Sequence, residues 1–409
     1  MQTPEQMQIP EQQPAKRPSW LQLIAICLIV AAVVAMATGY FVSAKYRDTL
    51  QAAEGDYQKL NEIKALLDRY YVGTYEEKDL MDMLAVGYMS GINDKWSYYT
   101  RAEDLAALYE DKTGSYAGIG VTVTQDAETG MLTIMDVYEG SPAEEAGIRR
   151  LDQLYSVEDE QIAVIGMNAA VAKVRGEVGT TVRLGIMRDG KLQEFTVERR
   201  VVEKASVSAK LLDGGIGYLR ISEFTAAAAE QFSEKLDDLI GNGAKGFVMD
   251  VRNNPGGQLT TLISMLDHLM PEGVVFIERD KAGRENVLRV DNVYCDLPLI
   301  VLVNEYSYSA AEYFAAVMQE QGRAVVVGSP TTGKGEGQQT FQLSDGSAIS
   351  FSVIKYFTPN GVSIGEQGGI QPDLAVAMPE DKLASIGQMD AAEDPQIAAA
   401  VARMNEILK

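Results

Sequence analysis

The stretch LQLIAICLIVAAVVAMATGYFV, from Leu21 to Val42, runs for 22 residues without a charge. Such a run has to leave water. Wound as a helix it is long enough to cross a ~30 Å hydrocarbon core, and Trp20 and Tyr40 stand where interfacial aromatics belong. Ala35-Met36-Ala37 has the small-residue pattern of a signal-peptidase site, but the run is longer than a usual signal h-region. An uncleaved anchor is therefore favoured over a cleaved signal. Lys16 and Arg17 precede the span while Lys45 and Arg47 follow it, so charge alone does not orient it. The expectation is a short polar tail over 1–19 and one transmembrane signal anchor over 20–42.

The remaining chain is long enough for two or three domains. Over 43–112 the pattern is helical. DYQKLNEIKALLDRYYV puts Leu60, Ile63, Leu67 and Tyr70 on one face, and KDLMDMLAVGYMSGI does the same with Leu80, Met83, Leu84 and Tyr88. NDKWSYYT then breaks the period. From Ser115 the chain reads strand, hairpin, strand, and then a short helix opened by Ser141-Pro142, a cap followed by proline at the first helical position. NAAVAKVRGEVG is helical, and TTVRLGIMRDGKLQEFTVERRVV is a hairpin turning at Asp189-Gly190. Residues 113–203 thus form a compact α+β unit. From 204 to 378 apolar strands such as GFVMD and LIVLV alternate with amphipathic helices, the signature of α/β architecture, and 379–409 ends in an amphipathic helix. The fold class is α/β, with an N-terminal anchor and helical segment ahead of the α+β unit.

Composition removes several functions. The net charge is −22, which opposes binding to a phosphate backbone, so no nucleic-acid partner is expected. There are two cysteines, Cys27 and Cys295, and one histidine, His268. Structural zinc of the Cys₄ or Cys₂His₂ kind and any multi-histidine metal site are excluded by count. No metal or other cofactor is expected. His268 lies in SMLDHLMP, at helical spacing from apolar neighbours, and reads as a helix residue without a catalytic role.

Two segments carry chemistry. GSPTTGKGEGQ, residues 328–338, fits the phosphate-loop pattern except at Gly335, where a magnesium-binding hydroxyl belongs. Pro330 also removes a backbone donor. NEYSYSAAE places Ser309 three residues before Glu312, which is a capping-box spacing. Ser309 is either a helix cap alone or a nucleophile at a helix N-terminus, where free N–H groups would stabilise an oxyanion.

These segments, with VRNNPGG, resemble those of the carboxyl-terminal processing peptidases, also called tail-specific proteases. That family reads approximately D-L-R-N-N-P-G-G, S-x-S-A-S-E and T-x-G-K-G-x-x-Q. Ser309 and Lys334 stand 25 positions apart, as in the family pattern, although Ala311 replaces the motif's third serine. KYFTPNG, GGIQPD and DPQI also match, while in NDKWSYYT Lys95-Trp96 replaces a Pro-Tyr pair. The resemblance implies a serine endopeptidase with Ser309 as nucleophile, Lys334 as general base and Gln338 in support. The N–H of Ala310, with that of Gly256 or Gly257, is the expected oxyanion hole. An ordinary lysine has pKa ~10.4 and is protonated at pH 7, so Lys334 has to be desolvated to act as a base. Gly333 and Gly335 would allow the close packing that excludes water. Gln338 supplies hydrogen bonds without a carboxylate's charge.

Tyr116-Ala117-Gly118-Ile119-Gly120, GSPAEEAGI and Val174-Arg175-Gly176 together resemble a PDZ domain. Tyr116, Gly118, Ile119 and Gly120 are then the expected site for a peptide's terminal carboxylate, the peptide adding as an edge strand. Arg175 is an expected contact between this domain and the protease core. Arg150-Leu151-Asp152 lacks the glycine that such domains carry before the aspartate. Expected partners are protein or peptide substrates with accessible C-termini and the membrane, and a homo-oligomeric or regulatory partner is left open. The family places the catalytic part outside the cytoplasm. Two readings stand beside it: a catalytically silent PDZ scaffold, and a nucleotide enzyme resting only on GSPTTGKG.

Overall fold

The computed structural model describes residues 57–126, 130–291 and 293–409, with isolated positions at Trp20, Val34, Met36, Thr38 and Tyr40. The expected anchor therefore lies almost entirely outside the described residues. Among those described, no helix is long and apolar enough to cross a membrane.

The chain divides into Met1–Leu80 and Met81–Lys409. The described part of the first unit holds the helix 57–70, and in it Lys64 bridges Asp68 (3.7 Å) and Glu77 (2.6 Å). The helix Glu77–Gly91 leads into the second unit. There NDKWSYYT, which breaks the helical pattern, contributes the strand Tyr98–Thr100, and the helix Leu105–Thr113 follows.

Residues 115–203 form the expected α+β unit. Its main path of strands runs Val121–Gln125, Leu132–Val137, Gln153–Val157, Thr181–Arg188 and Lys191–Glu198, all antiparallel. The helix Ile162–Val174 packs against the third of these. Ser141 caps the short helix Pro142–Glu145 by accepting from Glu144 N–H. The predicted hairpin turns through Asp189 (φ +51°) and Gly190 (φ +73°), both left-handed as a two-residue type I′ turn requires. Leu151, in the place of the missing glycine, is forced to φ +70°. The next residue explains why the turn is kept. Asp152 is buried, takes a two-pronged bond from Arg188 (2.6 and 2.7 Å) and accepts from Arg149 N–H.

The larger α/β part is built on a six-stranded sheet. Its order is Val207–Leu212, Ile216–Ile221, Gly246–Asp250, Leu299–Val303, Ala324–Gly328 and Leu374–Ala375. The first pair is antiparallel and the rest are parallel. Gly246–Asp250 and Leu299–Val303 are buried at every position, as parallel strands covered on both faces must be. The helices Ala228–Gly241, Leu259–Asp267 and Ala310–Glu320 build the core on one face. The tail helix Pro395–Ile407 covers the other through Ile397, Ala400 and Met404. A second, antiparallel sheet pairs the long strand Ala348–Phe357 with Tyr98–Thr100, Gly273–Asp280 and Glu336–Gln342.

One buried charge cluster ties the tail to the sheet. Arg252 is fully buried and donates to Asp250, Asp394 and Gln396. Asp394 also caps the tail helix, accepting from Gln396 and Ile397 N–H. Burial pushes the Asp250 carboxyl up, but the charges and hydrogen bonds of Arg252, with Arg220 and Tyr218, hold it down at about 2.

Candidate active site

Gly246–Asp250, Leu299–Val303 and Ala324–Gly328 are neighbours and run parallel, so their carboxyl ends open on one edge. That edge is where ligands bind in open α/β sheets. VRNNPGG leaves the first strand, NEYSYSAAE the second and PTTGKGEGQ the third. Parallel pairing thus brings together three segments that lie tens of residues apart in sequence.

Ser309 precedes the helix Ala310–Glu320 and is itself at φ +58°, a conformation a non-glycine residue rarely holds. The Ser309/Glu312 pair has the layout of a capping box. Ser309 N–H donates to the Glu312 carboxylate at 3.0 Å, and the N–H of Glu312 bonds the Ser309 carbonyl at 2.9 Å. Ala310 is the first helical residue, so its N–H has no partner within the helix.

The glycine turn after Arg252 fits beneath this point. A Cβ on Gly256 would stand 2.8 Å from Ser309 Cβ and 2.9 Å from Ala310 N. Gly256 donates its N–H to Asn254 Oδ1 at 2.7 Å, whereas the Gly257 N–H has no acceptor among the described residues. Asn253, at φ +56°, and Asn304 exchange hydrogen bonds of 2.9 and 2.7 Å that lock this turn to the Ser309 turn. Leu259, Leu262, Phe276, Tyr313 and Tyr356 line an apolar recess beside Ser309 and Ala310.

Lys334 is mostly buried. Desolvation lowers its pKa to about 8, against Asp94, Glu336 and Glu312, whose charges raise it, and with Lys112, whose charge lowers it. The sequence suggested a base kept clear of carboxylates. The structure instead surrounds it with three, and burial still prevails. Gly333 and Gly335 do allow close packing: Cβ atoms there would lie 2.7 Å from Gly368 C and from Gly365 N. The Lys334 Nζ makes no hydrogen bond among the described residues. It rests 4.5 Å from the centroid of the Trp96 ring and 5.8 Å from that of Tyr308, two rings stacked at 5.5 Å. Gln338 is not on Lys334 either. Its Nε2 donates to Glu336 O (3.0 Å) and Ser352 Oγ (3.1 Å).

Glu312 is the residue whose part the sequence did not disclose. It is fully buried, and its carboxylate accepts from Ser309 N–H (3.0 Å), Gly333 N–H (2.7 Å), Lys334 N–H (2.8 Å) and Thr331 Oγ1. One side chain thus fixes the backbone of both expected catalytic residues. A signal existed: AAEYFAAVM is apolar all round but for this glutamate, and a helix buried on every side does not hold a lone carboxylate without several donors. Trp96 was likewise visible only as a departure from the family motif.

The phosphate-loop reading fails on topology. After Ala324–Gly328 the chain passes through 329–335 into the strand Glu336–Gln342, with no helix to cradle a phosphate. His268 ends the helix Leu259–Asp267 and packs beside Phe232, at 6.5 Å between rings.

In the α+β unit, Tyr116, Ile119, Val171, Val174 and Arg175 line an apolar cleft between the edge strand Val121–Gln125 and the helix Ile162–Val174. Gly118 ends a strand paired to Arg200, and Gly120 (φ +81°) lies where a Cβ would meet Ser141 Cβ at 2.4 Å, so packing as well as backbone freedom demands glycine there. Arg175 reaches the helix ahead of this unit rather than a core strand. It donates to Glu110 and lies 5.1 Å from the Tyr116 ring centroid. That helix touches the α/β part in turn, through Lys112 Nζ on Thr340 Oγ1 of the second sheet (2.6 Å) and Gln258 Nε2, ahead of the helix Leu259–Asp267, on the Lys112 carbonyl (2.8 Å).

Comparison with known sequences agrees with this layout. Residues 215–376 match the profile of peptidase family S41, and residues 116–198 that of the PDZ domain. A carboxyl-terminal-processing protease of Synechocystis is 34% identical over 320 residues, covering 76% of this chain and 74% of the relative. The carboxy-terminal processing protease CtpA of Bacillus subtilis is 32% identical over 368 residues, 88% and 78% of the two chains. A solved S41-type structure from Bacteroides fragilis shares the fold at a TM-score of 0.50, with 18% identity over 79% of this chain and 90% of that one.

Proposed function

Because the chain belongs to the carboxyl-terminal processing proteases of peptidase family S41, we propose that Ser309 is its nucleophile and Lys334 its general base. The protein is a serine-type carboxyl-terminal processing peptidase with a PDZ domain. What carries the assignment of residues is the Glu312 carboxylate, which binds the N–H groups of both Ser309 and Lys334. In this reading the neutral Lys334 amine takes the proton of Ser309 Oγ as that oxygen attacks the scissile carbonyl, and later gives it to the leaving amine. The N–H groups of Ala310 and Gly257 receive the oxyanion. The apolar recess beside Ser309 takes the side chain ahead of the cut bond. Gln338 supports the site through Ser352, which also hydrogen-bonds Asp94 beside the lysine.

The PDZ cleft is proposed to bind the substrate's C-terminus, with Tyr116, Gly118, Ile119 and Gly120 around its carboxylate end. Arg175 and Glu110 relay occupancy to the helix Leu105–Thr113. The run 21–42 is proposed to anchor the protein in the cell membrane with the catalytic part outside the cytoplasm, supported by its length and lack of charge.

The test uses an unfolded protein ending in an apolar tail. Cleavage should vanish in Ser309→Ala and in Lys334→Ala. Cleavage that persists in either variant overturns the dyad, and cleavage indifferent to amidation of the substrate's C-terminus overturns the role of the PDZ cleft. Extraction of the full chain from membranes by alkaline carbonate would overturn the anchor. A silent scaffold would bind the tail and cut nothing. The strained φ of Ser309 argues against it, since a plain helix cap needs no such conformation.

A further inference from the structure

The Lys334 ammonium sits against aromatic faces and not against an acceptor. Trp96 is held for this by its own turn. Its N–H donates to Asp94 Oδ1 (3.0 Å), Ser97 Oγ donates to Asp94 Oδ2 (2.6 Å), and the strand Tyr98–Thr100 then registers on Ala348–Phe357. Tyr308, the residue before the nucleophile, stacks on the Trp96 ring at 25° and itself lies 5.8 Å from Nζ, so the ammonium borders both rings. The ring face is therefore fixed from two directions, by the segment ahead of the PDZ domain and by the Ser309 turn itself.

We propose that Trp96, with Tyr308 stacked on it, is a positioning residue for the general base: its ring is the seat that the protonated Lys334 occupies when it is not engaged with Ser309. This rests on the Ser309–Lys334 reading above. A ring quadrupole attracts an ammonium but has little hold on a neutral amine. The seat is thus selective for charge. A protonated lysine stays on it, and a deprotonated one is free to move to Ser309. A carboxylate in contact with Nζ would hold the cation more strongly and keep it charged, whereas an aromatic face excludes water, offers no acceptor and releases the base once its proton is gone. Proton loss and approach to the nucleophile become one event. The charged groups around the seat are Asp94, Glu336, Glu312 and Lys112, with Lys95 Nζ also 4.5 Å from the Trp96 centroid.

The chain has two tryptophans, so Trp20→Phe leaves Trp96 alone. In that full-length protein, Trp96 can be replaced biosynthetically by mono-, di- and trifluorotryptophan, which keep its shape and progressively weaken the ring quadrupole. The acid limb of the kcat/KM–pH profile should move down with each fluorine, by up to about one pH unit in total. A limb unmoved across a series that remains folded and active overturns the seat. As a second readout, Trp96 emission should titrate at the pH of that limb, keep doing so in Lys95→Gln and stop in Lys334→Met. Emission that ignores Lys334 also overturns the proposal. Lys334→Ala separates the two readings. If that variant still cleaves, the dyad itself is wrong. If it is dead while fluorination has no effect, only the seat is wrong.

Discussion

Replacing Lys334 by methionine should abolish cleavage and make the protein more stable. Methionine fills the same volume without a charge, and the Nζ it removes has no hydrogen bond among the described residues. The magnitude follows from the pKa. An exposed lysine titrates near ~10.4, and burial takes Lys334 to about 8. At about 1.36 kcal/mol per pKa unit, carrying the proton into the fold costs up to about 3 kcal/mol at pH 7. The folded-state value is the lower one, so below pH 8 both states are protonated and the whole cost is present. Between 8 and ~10.4 the unfolded chain holds a proton that the folded one has released, and stability rises with pH. The gain in Lys334→Met should therefore be largest at pH 7 and fall below about 1 kcal/mol by pH 10. Urea or thermal unfolding at the two pH values measures it, with a shift of very roughly 2–4 °C in Tm per kcal/mol for a core of this size. A variant no more stable than the parent at pH 7, or a gain that does not shrink by pH 10, would refute desolvation as the force acting on this lysine.

Three other outcomes follow from the same structure. The kcat/KM of the parent should rise about tenfold per pH unit up to a limb near pH 8 and then level off, since only the neutral amine is a base; a profile flat from pH 6 to 9 contradicts this. Glu312→Gln turns an NH₂ toward donors that need an acceptor, and should cost about 1–3 kcal/mol in unfolding free energy and on the order of a hundredfold in kcat; parental activity would remove Glu312 from the site. Leu151→Gly should stabilise the chain by about 1 kcal/mol in denaturation, because the backbone at φ +70° suits glycine better than leucine.

Much of this was legible because the informative patterns are local. GFVMD and LIVLV are short, largely apolar runs that read as strands, Ser141-Pro142 announces its helix by capping chemistry, and the tail helix shows in its amphipathic pattern. What stayed hidden depends on distant partners. The pair Ser309/Glu312 looked like a cap because that pattern lies within four residues. The donors that give Glu312 its other part come from 19 to 22 residues further on, and no periodicity reports them. Trp96 reaches Lys334 only because its segment joins the second sheet. The oxyanion glycines could not be told apart in sequence, since the choice turns on one bond from Gly256 to Asn254.

The buried link from Arg252 to Asp394 spans 142 positions of sequence, and that has a consequence in time. Chains emerge at about 5–20 residues per second, so the arginine waits roughly 7–28 s for its partner. Until then one face of the central sheet lacks its covering helix, and the turn that supports Ser309 lacks its anchor. Closing that face and anchoring that turn both wait on residues 394–404. A chain synthesised in this order should therefore close the sheet beneath its site later than it forms the strands that carry that site.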